Sequence, residues 1–196
     1  MPDTIVIDKA KKNNSEFNVS KGRSLDKKYI NGFPFIEHPD NIALALDVCK
    51  DIGVSNDDAI KGMRKMIPDP GALTITKVLI NKNKVDFVNA FAANDPQSTL
   101  KTWEIIYEFY KNDNKKIALF LNTRSDRQLR TQQLLDMIFS RMDIDHLIIR
   151  GDNLEKEIIS RCENIKKIKF SIFQDQDTPN QVINEISKWL KTKSIY

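Results

Sequence analysis

Residues 116–149 read KIALFLNTRSDRQLRTQQLLDMIFSRMDIDHLII, and this stretch decides the fold class. Lys116–Leu121 is an apolar run of strand length, and His146–Ile149 is a second. Between them, Leu134, Leu135, Ile138 and Phe139 recur at the spacing of one helical face, which predicts a helix from about Arg127 to Arg141. The same alternation continues downstream, with a helix expected over Leu154–Cys162, a strand over Ile168–Ile172 and a last helix, Pro179–Leu190, capped by Thr178. Upstream, Leu73–Ile80 and Val85–Phe91 read as strands joined by an Asn81–Lys84 turn, a hairpin pattern. Pro96 and Ser98 then open a long helix to Tyr110, with Leu100, Trp103, Ile106 and Tyr107 on its apolar side. Strands alternating with helices of this length require an α/β fold: a mostly parallel sheet with helices on both faces.

The Pro68–Gly71 stretch is a breaker, and the sequence before it is helical in pattern. Asp3–Asn13 reads as a short helix, Glu16–Val19 as a short strand, and Ser20–Lys28 as a polar, basic loop. From Pro39, the residues Ile42, Ala45, Leu46, Cys49 and Ile52 recur at helical spacing, with Asp40 or Asn41 as the cap and Gly53 as the stop. A further helix runs from Ser55 to about Met66, with Asp57 and Asp58 favourably placed in its first turn.

Bulk properties narrow the function. The chain has 196 residues and a net charge of +4, a small excess spread along its length, so nucleic acid is not an expected partner. It contains no apolar run of about 18 residues. The opening MPDTIVIDKAKK has no h-region of signal-peptide length, so a cytoplasmic protein is expected. Cys49 and Cys162 form no CxxC and have no histidine near them in sequence, which points to reduced thiols. His38 and His146 are too few and too far apart for a zinc site.

In a parallel sheet, ligands gather where strands run into helices at the carboxyl edge. Three such loops are polar. Ala92-Ala93-Asn94-Asp95-Pro96-Gln97-Ser98 offers small residues, two hydrogen-bonding side chains and a helix start with free N–H groups for an anion; alternatively, Asp95 is only the cap of that helix. Asn122-Thr123-Arg124-Ser125-Asp126-Arg127, with Arg130 one turn later, places guanidinium forks where a carboxylate or phosphate would bind. Asp126 would orient one of those arginines or cap the helix, and a solvated charge cluster is the plainer reading. Arg150-Gly151-Asp152-Asn153 is the third loop, and it reads as a plain turn. The chain has no G-x-x-x-x-G-K-[ST], no G-x-G-x-x-G and no G-x-S-x-G, so a P-loop, a dinucleotide fold and a hydrolase elbow are all unsupported.

Several stretches together resemble the Mur ligase superfamily, and within it the ligase subunit of the poly-γ-glutamate (capsule) synthases. Phe33–Leu46 is similar to the helix that closes the central ATPase domain of these enzymes, and Ile67–Leu73 to the hinge that follows it. Phe87–Thr99, Asn122–Arg130 and Met142–Ile149 resemble the capsule-type ligases in the same order. Two departures stand out from the wider superfamily. Gly71-Ala72 replaces the usual Gly-Arg of the hinge, as in the capsule-type enzymes, and Asn89 or Ala90 stands where an acidic residue is common.

The resemblance implies that residues 1–69 are the C-terminal end of the central ATPase domain and residues 70–196 a Rossmann-like C-terminal α/β domain. It implies an ATP- and Mg²⁺-dependent ligase that activates a carboxylate as an acyl-phosphate for attack by an amine. His38 and Asn41 would line the adenine side, and Asn94, Asp95 and Ser98 would meet the nucleotide. Arg124, Asp126 and Arg127 would act on the incoming glutamate's carboxylates or the γ-phosphate. No metal ligand is assigned. Without a P-loop, the chain is expected to be inactive alone and to hold neither ATP nor Mg²⁺ tightly, so the ATPase half must be supplied in cis or in trans. Glutamate or polyglutamate and membrane-bound capsule-synthesis subunits are the implied partners. A freestanding module that docks onto a separate ligase or capsule assembly is the alternative. A receiver-like domain is disfavoured, since the acidic cluster and strand lysine that it needs are missing.

Overall fold

The structure, a computed structural model, describes residues 3–113, 115–151, 156, 159–160 and 168–191. The chain divides into two compact units, Met1–Ala72 and Leu73–Tyr196.

The first unit holds α1 (Asp3–Lys12), α2 (Lys27–Ile30), α3 (Pro39–Asp51) and α4 (Asn56–Met63). Ile42 and Leu46, one helical turn apart on α3, are buried against Ala59 and Ile60 of α4, with Leu25, Tyr29, Phe33, Cys49 and Met63 around them. Each such aliphatic side chain contributes about 1.5–3 kcal/mol by leaving water. α3 ends as expected at Gly53, whose φ of +83° lets its N–H reach Lys50 O (3.0 Å) and Val54 N–H reach Cys49 O (2.8 Å).

The start of α3 differs from expectation. Its cap is His38, not Asp40 or Asn41: the imidazole Nδ1 accepts the Asp40 N–H at 3.1 Å. Pro39 dictates this, because its fixed φ suits the first helical position and makes the residue before it the cap. The strand expected over Glu16–Val19 does not form. Phe17 and Val19 are exposed, and among the described residues no neighbouring edge offers a ladder. The loop expected over Ser20–Lys28 contains a single 3₁₀ turn, Gly22–Ser24, and gives way to α2 at Lys27.

The second unit opens with an antiparallel hairpin, β1 (Thr74–Ile80) and β2 (Asn83–Asn89). Its turn is tighter than expected: Asn81 (φ 48°) and Lys82 (φ 72°) make it alone, both left-handed, as the twist of a two-residue hairpin demands. Then follow α5 (Pro96–Tyr110), β3 (Ala118–Asn122), α6 (Gln128–Arg141), β4 (His146–Arg150), β5 (Lys169–Phe173) and α7 (Pro179–Lys191). The sheet order is β3-β4-β5, all parallel, with Leu119 opposite Leu147 and Leu147 opposite Phe170. The hairpin forms a two-stranded sheet of its own.

β4 is buried on both faces, as a central parallel strand must be. Leu147 and Ile149 pack against Leu134, Leu135 and Ile138 of α6, with Leu100 and Trp103 of α5 beside them. On the opposite face His146 meets Trp189 of α7, ring centroids 5.4 Å apart. The α/β class with helices on both faces of a parallel sheet is therefore what forms. At the start of α7, Gln181 Oε1 reaches back to accept both the N–H (2.6 Å) and the hydroxyl (2.9 Å) of Thr178. The helix expected over Leu154–Cys162 falls almost wholly outside the described residues; Lys156, Ile159 and Ser160 are helical. Cys162 is likewise outside them.

Candidate functional site

The loops after β3 and β4 emerge at the carboxyl edge of the parallel sheet; the loop after β2, expected there too, instead follows a hairpin strand, because β2 pairs antiparallel with β1 in a sheet of its own. β3 ends at Asn122, and the chain turns through Thr123 and a 3₁₀ turn, Ser125–Arg127, into α6. Thr123 is buried, and both its N–H (2.7 Å) and its hydroxyl (3.2 Å) donate to the Arg150 carbonyl. That leaves Arg124, Asp126 and Arg127 on the exposed crest. Arg124 grips Asp126 with two donors, Nε to Oδ1 at 2.9 Å and Nη2 to Oδ2 at 2.8 Å. This pairing holds the Asp126 carboxyl below the usual carboxylate range. Asp126 therefore orients Arg124, and no side chain caps α6. The Arg127 guanidinium makes no hydrogen bond or ion pair among the described residues.

Of the two readings of the loop after β2, the cap is the one that forms: Asp95 Oδ1 accepts the N–H groups of Gln97 (2.9 Å) and Ser98 (3.0 Å). The Ser98 hydroxyl donates to Asp95 Oδ2 at 2.5 Å. These bonds, the Ser98 hydroxyl first among them and the field of Arg130 last, lower the Asp95 pKa. An anion arriving at α5 would meet a capping carboxylate, so this helix terminus is filled. Asn94, one residue earlier, is exposed and its side-chain amide is unpaired among the described residues.

The loop before α5 approaches the first turn of α6. α5 lies beside α6: Pro96, Gln97 and Leu100 line a shallow groove with Gln133, Asp136, Met137, Ser140 and Arg141, while Tyr107 and Glu108 lie beside Arg141 and Asp143. Asp95 lies within the field of Arg130 on the first turn of α6, the weakest of the influences on its carboxyl. At the root of the first loop, Phe91 meets Phe120 of β3 edge-on, with centroids 6.4 Å apart.

His38 and Asn41 belong to the first unit, where they come together at the start of α3. Glu37 Oε1 accepts from the Asn41 amide (2.7 Å) and from the His38 N–H (2.8 Å). Asp40 Oδ1 accepts the Gly22 N–H at 2.9 Å. In the third loop Asp152 and Asn153 lie outside the described residues.

Sequence reading missed two groups. One is Arg150, read as part of a plain turn, whose side chain reaches Asp175 and Asn122. The other is His146, fully buried, with Nε2 3.0 Å from Ser171 Oγ, which in turn donates to Glu185 at 3.2 Å. Burial chiefly, then Lys169, depresses the His146 pKa against the pull of Glu185. The one available signal was a histidine opening an otherwise aliphatic strand, HLII.

A family model described as the poly-gamma-glutamate synthase CapB C-terminal domain matches residues 75–196. The chain belongs to this family. Among curated proteins, the PGA synthase CapB of Bacillus subtilis (strain 168) is 35% identical over 148 residues, 75% of this chain and 37% of its own length. The capsule biosynthesis protein CapB of Bacillus anthracis is 33% identical over 143 residues, 73% of this chain and 31% of its own length. The chain thus spans about a third of each of these relatives, and both alignments, longer than the family match, take in residues before 75 of this CapB-family chain. No solved structure matches it.

Proposed function

We propose that this chain is the C-terminal part of a Mur-type, ATP-dependent amide ligase that extends poly-γ-glutamate, and that its rim holds the acceptor glutamate. Family membership and the names of the two relatives support the substrate class. The observation that carries the reading is the unpaired Arg127 guanidinium beside the Arg124–Asp126 pair, at the start of α6, which the loop before α5 approaches. A free guanidinium offers a carboxylate two parallel donors, and its neighbour, already oriented by Asp126, is held ready beside it.

Asp95 fills the α5 terminus, whereas no side chain caps α6, whose start beside Arg127 suits the γ-phosphate as well as a carboxylate. On this reading the P-loop and the metal ligands belong to the ATPase half, in the same polypeptide or as a separate chain. On this reading the second unit orients the acceptor and offers Asn94 to the nucleotide, and in the first unit His38 and Asn41 serve the adenine. Residues 1–69 are, on this reading, the closing segment of the ATPase domain. No described helix is long and apolar enough to cross a membrane. Membrane-bound capsule-synthesis subunits are the partners this reading implies.

The test is a titration of ¹⁵N-labelled chain with a γ-linked glutamate trimer. Resonances of residues 123–127 and 94–98 should move together, and Arg127→Ala should abolish the response. Shifts confined to other surfaces would refute the assignment. The chain alone should also show no glutamate-dependent ATP hydrolysis, and measurable turnover would overturn the need for a separate ATPase half.

A further inference from the structure

Arg150 closes β4 at the rim and ties the ends of three strands. Its carbonyl takes both hydrogen bonds from Thr123, after β3, at 2.7 and 3.2 Å. Its Nη1 donates to Asp175 Oδ1, after β5, at 3.0 Å and to Asn122 Oδ1, at the end of β3, at 3.4 Å. Nη2 donates to the Asp175 carbonyl. The next residue, Gly151, donates its N–H to Phe173 O at 3.1 Å and sits so close under Thr123 that a Cβ would strike the threonine hydroxyl. The Arg150 side chain is 27% exposed, against 59% for Arg124, so it lies in the rim rather than on it.

We propose that Arg150 is a positioning residue, which fixes the turn at residues 123–127 at the height from which Arg127 meets the acceptor carboxylate. The proposal rests on the ligase reading above. The guanidinium is a planar fork with fixed donor directions, so one side chain sets the spacing between Asn122 and Asp175. Both Nη1 and Nη2 are already engaged within the protein, which separates Arg150 from Arg127. What Arg150 contributes is the geometry of the neighbouring turn, and an anion site loosened by a fraction of its reach loses affinity steeply.

The glutamate-trimer titration reads this directly. Arg150→Ala should raise the Kd about tenfold, the scale of one well-placed charged contact, while the response of residues 94–98 stays in place. Arg150→Lys keeps the charge but cannot span both anchors, so its Kd should lie near that of the alanine variant. Asn122→Ala, at an exposed position, removes one anchor without touching Arg150 and should raise the Kd about threefold. Should Arg150→Ala fail to fold, the lysine and Asn122 variants decide. Full rescue by lysine would make Arg150 a mere source of charge and overturn the proposal, as would unchanged Kd values in Arg150→Lys and Asn122→Ala. A wild-type chain that does not bind the trimer sinks the ligase reading itself, a different outcome from wild-type binding with indifferent variants.

Discussion

Replacing Gly151 by alanine puts the joint between β3 and β4 under direct strain. A Cβ there would collide with the Thr123 hydroxyl and lie 2.8 Å from the Thr123 carbonyl oxygen and 3.1 Å from its carbon. The hydroxyl belongs to a buried side chain and the carbonyl to the backbone, so neither yields by swinging into solvent. Overpacking of this kind costs about 1–3 kcal/mol. If Thr123 is pushed off the Arg150 carbonyl, each of its two hydrogen bonds adds about 0.5–1.5 kcal/mol. With both bonds lost, the expected loss is roughly 2–6 kcal/mol, read as a lower urea midpoint in circular dichroism with an unchanged slope. Thr123→Ala alone should cost about 1 kcal/mol for the lost hydroxyl bond. The double variant should cost less than the sum of the singles, because the hydroxyl clash is gone while the carbonyl contact remains. A Gly151→Ala protein within about 0.5 kcal/mol of wild type, the range of an ordinary surface change, would refute the close approach, and strictly additive costs would place the strain elsewhere.

Asp95→Ala should destabilise the second unit by about 1 kcal/mol through loss of the α5 cap. Because the folded Asp95 carboxyl titrates below its unfolded value, its contribution is full above pH of about 4 and is lost as the pH falls through the folded value, so the variant's deficit should shrink in acid. His146 has the opposite chemistry with the same outward trend. Its folded pKa is depressed, so the unfolded chain takes up the proton first, and stability should fall as the pH drops below about 6.5. His146→Leu should flatten the urea midpoint between pH 7 and 5, and an unchanged slope would show that other groups carry it.

The parallel core was legible because its signal is local: an apolar run such as HLII and a four-residue-spaced helical stripe need no knowledge of what they touch. Gly53 and Thr178 declared their helix ends for the same reason. The His38 cap was masked by two strong capping residue types, Asp40 and Asn41, although a proline at the first helical position already names its predecessor as the cap. Glu16–Val19 looked like a strand, but strand formation depends on a partner edge that composition cannot supply. At the rim, sequence placed Arg124, Asp126 and Arg127 correctly in one turn but could not say which guanidinium was already paired. The bond from Arg150 to Asp175 joins residues 25 positions apart, and only folding brings them together.

The most direct measurement is glutamate-dependent ADP release by a ligase in which this chain replaces the matched segment of the Bacillus subtilis relative. The rim account predicts turnover by the graft and a drop of about 10²–10³-fold on Arg127→Ala, the loss expected when one charge-directed donor leaves a reacting anion. Undiminished turnover in an Asn94→Ala, Arg127→Ala double variant would contradict it.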